Sequence, residues 1–529
     1  MKCAYCGKNN KNGALFCKRC GIGLPPPAPE SKAAPEAAPA ENQMQVAPAE
    51  PSANAEPFDW TVSPEKAKAK AKRRRKNMLL ALMLAALLII GAAAIWFFAV
   101  SRGEILPGKN AYTVLDGGAI YKGELVKPEG EVITACASSL NGSTVGMLAQ
   151  SGKLYCCSKG QVDLTANYVK RFVCSVDGKH FIYVDENGLL WSSDCTDIEN
   201  APVCICNEPV TDDFVVSPDG ETVLFNKQGS PDLFLYNNKK VTLAAYAQQP
   251  VSVSNGGRYI YGFSTNDNGL YFTDKRGKSV FLRSNIVGDI SLNSQHNEIV
   301  FSTDSGDGKV ITMICTNGGE PRQIMNSSGP VSPVLTVSGI TMKDCPAGRT
   351  VVTCPFKSFE NRLFAGSGLA VCTRTGAEVL EPNDCACAAA TNNYGSVYYI
   401  TNGSIVKRSI NGTNEAVKLC EAETFKMNAN GTKLWFTLPS GELCFRHGER
   451  TERIAAPVTD YTVRPNNGAV LFLRGGEACR NTDGKTANSY CFSGLSISAI
   501  ASDRYGLYGL TPDGWVKLNT GGSKVGSND

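Results

Sequence analysis

The chain has 529 residues, enough for several folded units, and its 43% hydrophobic and 19% charged content suits globular protein with one added apolar segment. A net charge of +4 is too small to make the whole chain a partner for a polyanion, and three histidines leave little material for histidine-based catalysis or His-rich metal sites. Abundant glycine (52) suits a turn-rich β protein, and the 21 cysteines fall into two groups, four within the first twenty residues and seventeen from Cys136 onward.

Residues 1–24 form a compact Cys-rich unit. Cys3-x2-Cys6 and Cys17-x2-Cys20 are two paired-thiolate knuckles, and a two-residue gap lets both sulfurs of a turn face one ion. Cys3, Cys6, Cys17 and Cys20 are therefore the expected ligands of one Zn2+. Four cysteines leave no open coordination position, which points to a structural site. Gly7 and Gly21 permit the left-handed turn behind each pair, and Tyr5 and Phe16 are the expected hydrophobic cover. Lys2, Lys8, Lys11, Lys18 and Arg19 make the unit basic, yet no aromatic platform for stacking bases accompanies them, so protein docking is expected over nucleic-acid contact. The CAYCG and CKRCG knuckles resemble the short zinc ribbons at the N-termini of many prokaryotic membrane proteins.

Residues 25–65, rich in Ala, Pro and Glu, lack the apolar periodicity that would offset ordering entropy and are expected to be a disordered tether. The basic juxtamembrane segment 66–77 carries eight Lys or Arg between Lys66 and Lys76. Met78 to Val100 then runs 23 residues without a charge. As a helix it would reach about 34 Å, enough for a hydrocarbon core of about 30 Å. Trp96, Phe97 and Phe98 stand at its distal end, where an aromatic belt would lie. Seventy-seven preceding residues are too many for a cleaved signal peptide, so the segment is expected to be an uncleaved signal anchor. Beyond it, the first twenty residues offer only Arg102 and Lys109, and the positive-inside rule then puts the N-terminus in the cytosol and everything after Ser101 outside. Residues 101–131 read as a connecting segment.

Over 132–524 the chain repeats itself. A polar turn leads into a short apolar strand, clearest in SVDGKHFIY from Ser175, SPDGETVLF from Ser217, NSQHNEIVF from Asn293, NANGTKLWF from Asn428 and RPNNGAVLF from Arg464. Weaker copies begin at Ser139, Ser254, Ala390 and Ile500, and successive starts lie 36, 42, 37, 39, 97, 38, 36 and 36 residues apart. The long interval is expected to hide a degenerate copy plus an insertion around 327–383, making ten copies. Such a period without a helical pattern is the mark of propeller blades, small sheets that must stack on neighbours to bury both faces. The Asp-Gly and Asn-Gly pairs supply the turns. Copies such as SPDGETVLF resemble the TolB-type and WD-repeat-like propellers, although the Gly-His and Trp-Asp pairs of true WD repeats are missing. The fold class is thus mainly β, a β-propeller-like ectodomain of one large ring or two rings, with a small zinc ribbon and one transmembrane helix.

The seventeen outer cysteines are odd in number and cannot all pair within one chain. Cys204/Cys206 and Cys385/Cys387 have the spacing of residues sharing a strand face. Cys479 and Cys491 flank a hairpin and are placed either to bridge it or to serve, like the rest, as buried reduced thiols. His180, His296 and His447 all read as turn or strand residues. No Gly-x-Ser-x-Gly elbow occurs, and Asp304-Ser-Gly-Asp307-Gly reads as a hairpin loop, not a calcium site. Asn141, Asn402, Asn411 and Asn430 match the glycosylation pattern but lie where Asn-Gly turns are expected anyway. With no catalytic residues to name, the expected function is non-enzymatic binding or scaffolding of a protein or cell-envelope ligand, with the ribbon docking a cytosolic protein. The rival is a propeller enzyme cleaving glycans with two carboxylates from distant blades.

Overall fold

The computed structural model describes residues 104–197, 200–410 and 415–520, with the two-residue strand Ser523–Lys524. The expected ribbon, tether, basic segment and apolar span, with Cys3, Cys6, Cys17 and Cys20, lie outside the described residues. Among the described residues no helix is long and apolar enough to cross a membrane.

The described chain is almost entirely β, a propeller of eleven antiparallel sheets following one another in sequence order. The blades occupy 113–126, 133–166, 169–206, 210–245, 248–283, 286–327, 331–381, 386–421, 424–455, 460–491 and 499–517, and are numbered 1 to 11 below. Their second strands are continuous apolar runs because neighbours cover them on both faces. Thr144–Ala149 is buried at every position, as are the central residues of His180–Asp185. The outermost strands face solvent, as in Lys240–Ala245 and Ala416–Glu421.

The polar turns that mark the repeats join the first strand of a blade to its second, in every blade but blade 7, and they also bind blade to blade. Ser217 Oγ accepts from the Thr222 N–H at 3.0 Å inside the turn. Gly220 at φ +77° brings the loop so near blade 3 that an added Cβ would stand 2.6 Å from the Cβ of His180. Between blades, Leu140 N–H donates to Val176 O at 3.1 Å, Asp177 N–H to Pro218 O at 3.1 Å, Asn392 N–H to Ala429 O at 2.8 Å and Ala429 N–H to Pro465 O at 2.7 Å. The same rim closes the ring. The Tyr505 hydroxyl of blade 11 reaches Lys109 O at 2.8 Å, and Gly108 N–H donates to Asn141 O of blade 2 at 2.9 Å. Leu115 and Ile120 of blade 1 pack on Tyr508 of blade 11. The sheets therefore form one circuit.

Blade 7 spans the long interval. Its first strand, Val331–Pro333, pairs with Leu363–Gly366, and the residues between them form the expected insertion. The eleventh sheet was not expected. Blade 1 (strands Thr113–Leu115, Gly118–Tyr121 and Glu124–Val126) falls in the segment read as a connector, its strands too short to show the repeat pattern. The shared-face reading of two cysteine pairs also needs correction. Cys204 is exposed and Cys206 buried, with a register shift between their partners Trp191 and Leu190. Cys385 is buried and Cys387 exposed, the latter at φ 52° inside a register shift. A bulge adds one residue and breaks the alternation. Cys479 and Cys491 pair directly across their strands and form a disulfide, and the other fifteen described cysteines are free.

Candidate functional site: the axial cavity

Inside the ring the insertion turns back on itself. Met342–Asp344 pairs antiparallel with Val351–Thr353, which runs parallel to the first strand of blade 6, Ile290 opposite Val351 and Leu292 opposite Thr353. On its way in the insertion crosses the first strand of blade 8, where Thr336 bridges Ala390. The first strands of blades 1 to 6 converge on this hairpin and enclose a cavity of about 340 Å³ with it.

Most of the lining is aliphatic, including Val173, Val215, Val216, Val251, Leu292 and Met342. First strands point small apolar side chains toward the axis because the ring leaves no room there for larger ones. The polar lining groups are mostly engaged. His296 occupies the turn before the second strand of blade 6 at φ 53°, and it is buried. Its Nδ1 lies 3.2 Å from Val253 O and its Nε2 3.1 Å from Thr353 Oγ1. A carbonyl only accepts, so Nδ1 carries the proton, and Nε2 accepts from the Thr353 hydroxyl. Burial pushes the imidazole pKa down to about 4 against the opposing pull of the Val253 carbonyl, so His296 is neutral at physiological pH.

Asp344 is the one carboxylate in the lining. It is ion-paired with Arg171 of blade 3, whose guanidinium also lies 3.9 Å from Asp213 and over the ring of Phe214 at 5.2 Å. Burial raises the pKa of Asp344 while Arg171 opposes that rise. This cluster pins the hairpin to blades 3 and 4. Burial also raises the thiols of Cys136, to about 11, and Cys174, so both stay protonated and poorly nucleophilic at neutral pH. Cys174 Sγ donates to Ser175 O at 3.4 Å. Ser252 differs from the rest. Its side chain is 1% exposed and its hydroxyl has no hydrogen-bond partner.

The other residues singled out in the sequence lie apart from this cavity. His180 opens the second strand of blade 3, and His447 ends a strand of blade 9 on the surface. Asp304 and Asp307 shape the expected hairpin loop, Asp304 accepting from Gly306 N–H at 2.8 Å and Asp307 from Lys309 N–H at 3.1 Å. Among the described residues no group of three or more His, Cys, Asp or Glu is placed to hold a metal ion. The cavity residues Arg171, Ser252, Asp344 and Thr353 carry no local motif. The signal that located the insertion was the long interval between repeats.

The architecture defines the class of protein, a β-propeller. No family model matches the chain, and no curated protein matches it. Among solved structures, the chain is similar to "The structure of putative TolB from Agrobacterium tumefaciens" at 17% identity and TM-score 0.28, covering 39% of this chain and 84% of that one. It is also similar to a eukaryotic initiation factor (8% identity, TM-score 0.38, 64% and 93% covered). A third is the dihydro-heme d1 dehydrogenase NirN in complex with DHE (14% identity, TM-score 0.33, 59% and 73% covered).

Proposed function

We propose that this chain is a membrane-anchored, extracytoplasmic binding or scaffold module, in which the propeller takes a protein or cell-envelope ligand and the N-terminal zinc ribbon docks a cytosolic protein. The observation that carries the reading is the axial cavity, lined mainly by aliphatic side chains and holding a single carboxylate that Arg171 engages. Cleavage of glycans in the usual way needs two carboxyl groups about 5–10 Å apart flanking the bond. The Cys479–Cys491 disulfide supports an oxidising, extracytoplasmic setting. Glu104, four residues past the apolar stretch in sequence, bridges Phe356 of the insertion.

A photo-crosslinking residue at Lys343, exposed at the cavity, should yield adducts in intact cells. The same residue at Lys240, exposed on the outer strand of blade 4, should not. Adducts from Lys240 alone would move the binding surface off the axis. Protease added to intact cells should remove the region after Ser101 and spare the ribbon. Loss of the ribbon with survival of the propeller would reverse the orientation.

A further inference from the structure

We infer that the axial cavity binds a small, uncharged and largely apolar molecule bearing one hydrogen-bonding group, which is met by the hydroxyl of Ser252. The inference rests on the binding reading above and gives its ligand a chemical class.

Three features of the cavity lead there. Its volume of about 340 Å³ falls within the range of sites that enclose small ligands, about 300–1,000 Å³. Its walls are mainly aliphatic, and burying such surface against an apolar ligand drives binding without directional demands. The polar groups sort by what they already do. His296 is neutral with both ring nitrogens engaged, Thr353 gives its hydroxyl to His296, and Asp344 is held by Arg171. Lys343 is the exposed polar member of the lining, and its ammonium can remain in water.

Ser252 alone lines the cavity with an unpartnered, buried hydroxyl. Buried hydroxyls in folded proteins nearly always have a partner, so an orphan on a cavity wall marks where a ligand atom completes the network. A hydroxyl both donates and accepts, which suits a carbonyl or hydroxyl on the ligand. A charged group there would lose its hydration without a buried counter-ion, since Asp344 is already paired with Arg171 and the exposed Lys343 can keep its ammonium in water.

Benzophenone has the inferred properties, two apolar rings and one ketone acceptor, and on irradiation it inserts into neighbouring C–H bonds. The full chain titrated with benzophenone, irradiated and mapped by peptide mass spectrometry should carry saturable adducts at Val216, Val251 or Met342. Localisation in the unaltered protein requires no substitution. Ser252→Ala should raise the half-saturating concentration by about 3- to 10-fold, the range expected for one lost hydrogen bond, with no change in melting temperature. Val216→Phe should abolish the cavity adducts by filling the space. Benzophenone-4-carboxylate should label the cavity at least about 10-fold more weakly. Unsaturable or purely surface labelling of the unaltered chain would overturn the inference, as would equal labelling by the carboxylate. A Ser252→Ala titration superimposable on the unaltered one would remove Ser252 from it. Adducts from Lys343 in intact cells together with failure of benzophenone would sink the ligand class and leave the binding reading standing.

Discussion

Replacing Cys17 with serine is expected to strip the zinc from the full-length protein and leave the unfolding of the propeller where it is. The proposed site takes four thiolates from two Cys-x2-Cys knuckles, and a 24-residue unit would have too small a core to fold without its metal. Metal binding is then its folding energy, about 10–16 kcal/mol for such sites at neutral pH, so one missing ligand should unfold the unit. Insulation of the propeller follows from the tether. On the tether proposed from the sequence, some 40 residues of Ala/Pro-rich chain would behave as a coil of about 35 Å r.m.s. reach, and a coil transmits no rigid movement. Elemental analysis should find one zinc per unaltered chain and none per Cys17→Ser chain. Calorimetry should place the propeller transition at the same temperature in both. Zinc retained at full stoichiometry would remove Cys17 from the ligand set. A shifted propeller transition would mean the two parts are coupled.

The repeat was legible because its turn does two tasks with one set of residues. In most copies Asp or Asn followed by glycine makes the tight reversal, and the same loop hydrogen-bonds to the next blade. That double role yields a period, and the break in the period located blade 7 and its insertion. A second periodic signal lies in the buried leucines of the third strands. Leu154, Leu190, Leu233, Leu270 and Leu443 each open the third strand of a blade, and Leu369 is the second residue of its own; all six are fully buried, and a register shift follows each immediately. The bulge lets an inward leucine be followed by a strand whose outer edge turns to solvent.

The cavity was illegible for a different reason. Arg171 and Asp344 are separated by 173 positions and meet only because the ring brings blade 3 to the insertion. Ser252 and Thr353 likewise owe their roles to convergence on an axis, and nothing in their neighbours along the chain marks them. Blade 1 was not legible because strands of three or four residues fall below the length at which alternation can be recognised.

Acid should weaken the propeller through His296, and His296→Asn should abolish that part of the weakening. An unfolded histidine titrates near 6.5, whereas burial holds His296 at about 4 in the folded state. Between those values the unfolded chain binds a proton that the folded chain refuses. The contribution of His296 is therefore complete above about pH 6.5, is lost as pH falls toward about 4, and is constant below that. A depression of this size corresponds to about 3 kcal/mol. Asp219 draws the pKa upward and the Val253 carbonyl does the same, but desolvation outweighs both. Asparagine tolerates the positive φ of position 296 and keeps a donor and an acceptor, yet it does not titrate. Urea unfolding at pH 7 and pH 4.5 should show the unaltered protein losing about 2–3 kcal/mol more than His296→Asn over that interval. Equal losses in the two proteins would mean that His296 takes up its proton without unfolding, and that its contacts with Val253 and Thr353 do not hold the hairpin to blades 5 and 6. If the difference appears, the first backbone amides to lose protection in acid should be those of Val351–Thr353. That strand is held on one side by blade 6, and the His296 ring is its side-chain contact toward blade 5.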